Sequence, residues 1–174
     1  MKENRTRKSI LAAMFLAFGL VLPFLTGQMK EIGDTLLPMH IPTMFCGLVC
    51  GPWYGLVVGF AIPVVRSIIF SMPMFFPNSI WMAFELATYG CVIGVIYRFF
   101  AKKNVRAVYL SLIPAMISGR IVWGIAKTVL LGIAGKPFSF QMFLAGGILD
   151  AIPGIILQLI LIPAIMSILN RYKR

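Results

Sequence analysis

The sequence predicts an all-α fold: a polytopic integral membrane protein of six transmembrane helices with both termini in the cytoplasm. Three observations predict it. Hydrophobic residues make up 60% of the chain and charged residues only 12%, against about 45–50% and about 25% in a soluble domain. The apolar residues come in long runs, which suits spanning helices and not the alternating strands of a barrel. The Lys and Arg residues gather at the ends of those runs, as membrane topology demands. The mean hydropathy of +0.93 agrees. A spanning helix takes about 20 residues, so six of them fill most of the 174 residues and leave a single transmembrane domain, 1–174, with short loops.

The spans fall at 9–26, 39–50, 55–71, 78–99, 107–134 and 141–169. The basic start followed by an apolar run imitates a signal peptide. The run is longer than a usual signal core and no Ala-x-Ala site closes it, so it reads as a retained first span. The second span is short, with Pro38 and Pro42 crowding its start, and Gly51, Pro52, Trp53 and Tyr54 form a tight turn after it. Residues 27–37 form a polar loop with Lys30, Glu31 and Asp34, and 72–77 a Pro-rich one.

The net charge of +11 would suggest nucleic acid in a soluble protein, but no basic face or reading module accompanies it. Lys2, Arg5, Arg7, Lys8, Arg98, Lys102, Lys103, Arg106, Arg171, Lys173 and Arg174 lie at the termini and in the 98–106 link, whereas the opposite loops hold only Lys30 and Lys136. The positive-inside rule puts the first set in the cytoplasm. The loops at 27–37, 72–77 and 135–140 then face outward.

Gly47, Gly51, Gly55 and Gly59 recur every fourth residue. Pro52 divides them between spans two and three, where small residues let helices approach closely. Cys46 and Cys50 fit the same role, since a metal site would need further ligands nearby. No metal ligand set, no disulfide requirement and no cofactor follow from the sequence.

Ionisable residues within spans are costly, and each is a functional candidate by default. They are Arg66, Glu85, Arg120, Lys127 and Asp150, with His40 at the outer start of span two. Glu85 lies roughly 10 Å below the outer end of its span at 1.5 Å per residue, and most of the others share the outer half. Trp81, Glu85 and Tyr89 fall on one helical face, as do Arg120, Trp123 and Lys127, and again Asp150, Gly154 and Gln158. Such mixtures of apolar walls and a few polar groups suit a ligand cavity open to the outside. The plainer reading keeps Glu85–Arg66 or Asp150–Lys127 as structural ion pairs and Trp81 and Tyr89 as interfacial belt residues. Three cations against two carboxylates lean toward an anionic solute.

Catalysis is not indicated. One His and no His-Glu-x-x-His motif exclude the usual zinc enzymes, and GRIVWG at 119–124 has Ile125 where a phosphate loop requires Lys. Energy for uphill transport would have to come from another subunit.

These features together resemble the substrate-specific (S) components of energy-coupling factor (ECF) transporters, over essentially the whole chain. The matching segments are AMFLA at 13–17, LPMHIP at 37–42 leading into CGLVCGP at 46–52, FELATYG at 84–90 and GRIVWG at 119–124. The last three are similar to the branch that includes riboflavin, pantothenate and cobalamin binders. The resemblance implies a bacterial plasma-membrane subunit that binds a micronutrient outside, with the first outer loop as a lid, beside a transmembrane scaffold subunit and two ATPase subunits. It implies that Ala13 and Ala17 dock on the scaffold. It maps the pocket by position onto Asn78, Trp81, Glu85, Tyr89, Arg120, Trp123, Lys127 and Asp150, beside the candidates His40 and Arg66. Arg120 and Lys127 favour pantothenate or a similar carboxylate-bearing vitamin, with riboflavin, cobalamin and a pyridoxine-like compound open. The rival readings are a stand-alone secondary carrier, for which no inverted repeat is visible, and a membrane-integral enzyme.

Overall fold

The computed structural model describes residues 2–25, 35–101, 104–135, 137 and 139–172, without the side chains of 2–4, 25, 148, 171 and 172. Lys30, Glu31 and Asp34, expected in the loop at 27–37, lie outside the described residues, as do Lys102, Lys103, Lys136, Lys173 and Arg174. Seven α-helices follow one another among the described residues: α1 (Lys2–Leu25), α2 (His40–Cys50), α3 (Pro52–Phe70), α4 (Ile80–Phe99), α5 (Val105–Ile133), α6 (Phe140–Leu144) and α7 (Ile152–Tyr172).

Local chemistry sets the breaks. Gly51 ends α2 at φ 105°, a conformation that suits glycine, and Pro52 opens α3 at a position where its missing N–H costs nothing. The expected four-residue turn therefore contracts to Gly51, and Trp53, already helical, stands 75% exposed. Asn104 caps α5 by accepting from the Ala107 N–H at 3.0 Å. Ser139 caps α6 in the same way through the Met142 N–H. The expected sixth span is interrupted: a wide turn, Ala145–Leu149, joins α6 to α7, closed by the Asp150 N–H donating to the Ala145 carbonyl.

Among the described residues five helices are long and apolar enough to cross a membrane, and they correspond to α1, α3, α4, α5 and α7. The second of the six expected spans is the exception. Its 11 residues reach roughly 17 Å at 1.5 Å per residue, well short of a hydrocarbon core about 30 Å thick. Its burial explains its survival as a helix. Nine of the residues, from His40 to Cys50, are buried, and α1, α3, α4 and α7 all pack on it. Met44, Phe45 and Leu48 join one hydrophobic cluster with Tyr89, Leu112 and Ile162, while Cys46 and Cys50 join another with Ile62 and Leu86. Protein rather than lipid encloses α2.

The glycine series has a partner that its spacing does not reveal. A Cβ on Gly47 or on Gly55 would fall 2.3 or 2.4 Å from the Gly90 carbonyl oxygen, and one on Gly90 would fall 2.2 Å from that of Gly55. Three backbones thus meet where α2, α3 and α4 converge, which only residues without side chains permit. Gly90→Ala is expected to cost about 1–3 kcal/mol, the usual range for overpacking. Thermal unfolding in detergent measures it, and an unchanged melting temperature would argue that the junction is looser than described.

Candidate functional site

The facing parts of α2, α4 and α5 bring most of the polar candidates together. His40 is the first residue of α2, with its N–H on the Leu37 carbonyl at 3.1 Å. Helical spacing stacks Trp81, Glu85 and Tyr89 on the buried face of α4, and Arg120, Trp123 and Lys127 on the face of α5 turned toward them. Glu85 is the hub. Its Oε1 lies 2.9 Å from Arg120 Nη1 and 3.4 Å from His40 Nε2. Glu85 and His40 are each almost fully buried, so the carboxylate has strong electrostatic reason to hold both neighbours. The His40 ring meets the Tyr89 ring edge-on at 5.1 Å. Tyr89 in turn lies against the backbone of α5 at Gly119, where a Cβ would stand 2.8 Å from its ring.

A second layer surrounds Trp123. Lys127 Nζ lies 4.4 Å from the centre of the Trp123 indole and 5.4 Å from that of Trp81, and Arg120 Cζ lies 5.9 Å from Trp123. Cations over indole faces gain about 0.5–2 kcal/mol, more as water is excluded. The wide turn after α6 covers the same indole from outside: a Cβ on Gly147 would stand 3.0 Å from Trp123 Cζ3.

The cluster is not fully satisfied internally. Among the described residues, both ring nitrogens of His40, Glu85 Oε1, and Nε and Nη2 of Arg120 are buried without a hydrogen-bond partner. The Glu85 contacts are therefore ion pairs of close approach, not aligned hydrogen bonds. Buried donors of this kind normally find an acceptor, and the Nε–Nη2 edge of a guanidinium is shaped for the two oxygens of a carboxylate.

Three of the sequence candidates stand apart. Arg66 is buried on α3 but faces α1: its Nη1 donates to the Leu20 carbonyl at 2.6 Å, and its guanidinium lies against the Phe24–Phe70 ring pair, 5.0 and 5.5 Å from the two centroids. The alternative pair Glu85–Arg66 is thereby replaced by Glu85–Arg120. Asp150 is exposed at the turn before α7 rather than well inside a span. Asn78 belongs to the irregular turn Phe75–Ser79 ahead of α4 and makes none of the contacts above. On the same α7 stripe, the open backbone at Gly154 is filled by the chain itself, since a Cβ there would meet the Thr35 carbonyl oxygen at 2.5 Å. Phe143, which sequence reasoning passes over, packs on Trp123 with centroids 5.9 Å apart. It stands in a mostly apolar run, and an aromatic there carries no signal of its own.

A family model described as "ECF transporter, substrate-specific component" matches residues 7–166. No curated protein and no solved structure matches the chain. The family match spans all the helices that build the cluster and most of α7, on an all-helical chain with five helices suited to a membrane. The chain therefore belongs to the substrate-specific components of ECF transporters, membrane subunits that bind a small-molecule substrate and work with a scaffold and ATPase modules, and it is not an enzyme.

Proposed function

We propose that this subunit captures a carboxylate-bearing vitamin or related micronutrient at the outer face of a bacterial plasma membrane, between α2, α4 and α5. Pantothenate is the compound we favour. The observation that carries the reading is the Nε–Nη2 edge of Arg120, buried and without a hydrogen-bond partner among the described residues. Glu85 holds Nη1 and so turns that edge away from itself. Lys127 adds a second cation on the same face of α5, over the Trp123 and Trp81 indoles. Trp81 and Trp123 supply the flat apolar walls on which a small solute packs.

In this reading both termini face the cytoplasm, α2 descends from the outer surface as a sixth, short transmembrane element, and Ala13 and Ala17 meet the scaffold. The small molecule released on denaturing the purified protein identifies the substrate by mass spectrometry. We expect a stoichiometric vitamin with a carboxylate. An empty protein that gains no thermal stability from a panel of carboxylate vitamins would refute the substrate class.

A further inference from the structure

Phe143 stands between two spaces. On one side it packs against Trp123, whose indole carries Lys127. On the other it lines an open groove of about 490 Å3 between α5 and the α6 segment, walled mainly by Ile121, Ile125, Val129 and Phe140, with Gly124 and the hydroxyl residues Thr128 and Ser139. Ile121, Ile125, Val129 and Phe140 are more than half exposed, and on a spanning helix such apolar side chains face lipid. The ring is held, not loose. Phe140 stacks on it at 6.1 Å and 20°. The α5 backbone makes room for it at Gly124, where a Cβ would lie 2.4 Å from Phe143 Cε2. Trp123 behind it is only 6% exposed. One aromatic ring thus separates the cation-bearing indole from the hydrocarbon of the bilayer.

We propose that Phe143 is a side gate of the substrate site: it keeps acyl chains off Trp123 and limits how fast bound solute escapes between α5 and α6. This rests on the proposed location of the site, but the wall itself is testable without any substrate. Hydrocarbon at Trp123 would lower the local polarity that Lys127 and Arg120 require, so the gate protects the anion-binding end as well as closing it. Gly124 is the matching half of the device, because any side chain there displaces the ring.

The protein has three Trp residues, Trp53, Trp81 and Trp123. With Trp53→Phe and Trp81→Phe in place, Trp123 is the sole indole emitter. Reconstituted into phosphatidylcholine vesicles with brominated acyl chains, this background should be quenched weakly. Phe143→Ala should raise the quenching about twofold or more, as expected when a packed ring is replaced by a gap. Gly124→Ala should act in the same direction with Phe143 present, and Phe143→Leu should fall between. Unchanged quenching in both Phe143→Ala and Gly124→Ala overturns the gate. With the native tryptophans and a bound vitamin, Phe143→Ala should speed dissociation about tenfold, since changes at one site fall mostly in off-rates. An unchanged off-rate, with binding intact, also overturns it. Absence of vitamin binding in every variant, with quenching raised, leaves the gate standing and removes the proposed site instead.

Discussion

Arg120→Ala is expected to weaken solute binding by about 100-fold or more, a loss of roughly 2.7 kcal/mol or greater. The side chain does two jobs at once. Its Nη1 balances the Glu85 carboxylate, and its Nε–Nη2 edge, which has no hydrogen-bond partner among the described residues, is the edge proposed to hold the ligand. Deleting it removes the edge and strands a carboxylate that is 2% exposed. Breaking a buried pair from one side typically costs about 3–5 kcal/mol, so the variant should also melt earlier. The two effects separate in the double variant Glu85→Gln with Arg120→Ala. Without the stranded charge, its melting temperature should recover toward that of the native protein, while binding stays lost. Arg120→Lys should keep the ion pair yet bind poorly, because an ammonium lacks the planar fork. Titration calorimetry with the identified vitamin measures all three. Native affinity in Arg120→Ala would remove Arg120 from the site and leave the triad of His40, Glu85 and Arg120 as a structural feature of the outer bundle.

The faces of the helices were legible in the sequence, but their rotations against one another were not. Spacing by three and four residues places Trp81, Glu85 and Tyr89 together, and likewise Arg120, Trp123 and Lys127, because the helix itself dictates that adjacency. Which face meets which depends on packing. Arg66 has the charge and depth of a site residue, and nothing in the surrounding residues tells that its face turns toward Leu20, Phe24 and Phe70. The glycine series shows the same division. Its period marks a close approach, and Gly90 and Gly94 of α4 share that spacing, but nothing in either segment tells that these two sets of glycines meet across thirty or more residues. Length misled in one place. The apolar stretch at 39–50 has the composition of a span, but Gly51 stops the helix at 11 residues, and only the surrounding helices show that it is enclosed by protein. Asp150 moved for a related reason: a wide turn at Ala145–Leu149 restarts the last helix beyond it, and its signals, Gly146-Gly147 and Pro153, sit inside an otherwise continuous apolar run.

Ala13→Leu and Ala17→Leu are expected to leave the affinity for solute within about twofold, under 0.5 kcal/mol, while uptake in cells falls about tenfold or more. The separation follows from how α1 sits. Its inward face is committed: Ala12 is buried, a Cβ on Gly19 would strike Ile62 at 2.3 Å, Ser9 meets the Tyr54 hydroxyl at 3.2 Å, and Arg66 holds the Leu20 carbonyl. Ala13 and Ala17 lie on the other side, exposed, flanked by the exposed side chains of Ile10, Met14, Phe18 and Val21. Two small residues one turn apart make a shallow track there, and a partner helix can approach most closely along such a track. Leucine fills the track without touching any residue of the bundle, so folding and the cluster at His40, Glu85 and Arg120 should be untouched. Only an event that needs the outer surface of α1 would fail. Binding assays on purified protein and vitamin uptake with the ATPase module present give the two halves of the comparison. Loss of binding would mean that the exposed face of α1 is linked to the site through its inward face, and native uptake would mean that the scaffold docks elsewhere; either result removes the docking role from Ala13 and Ala17.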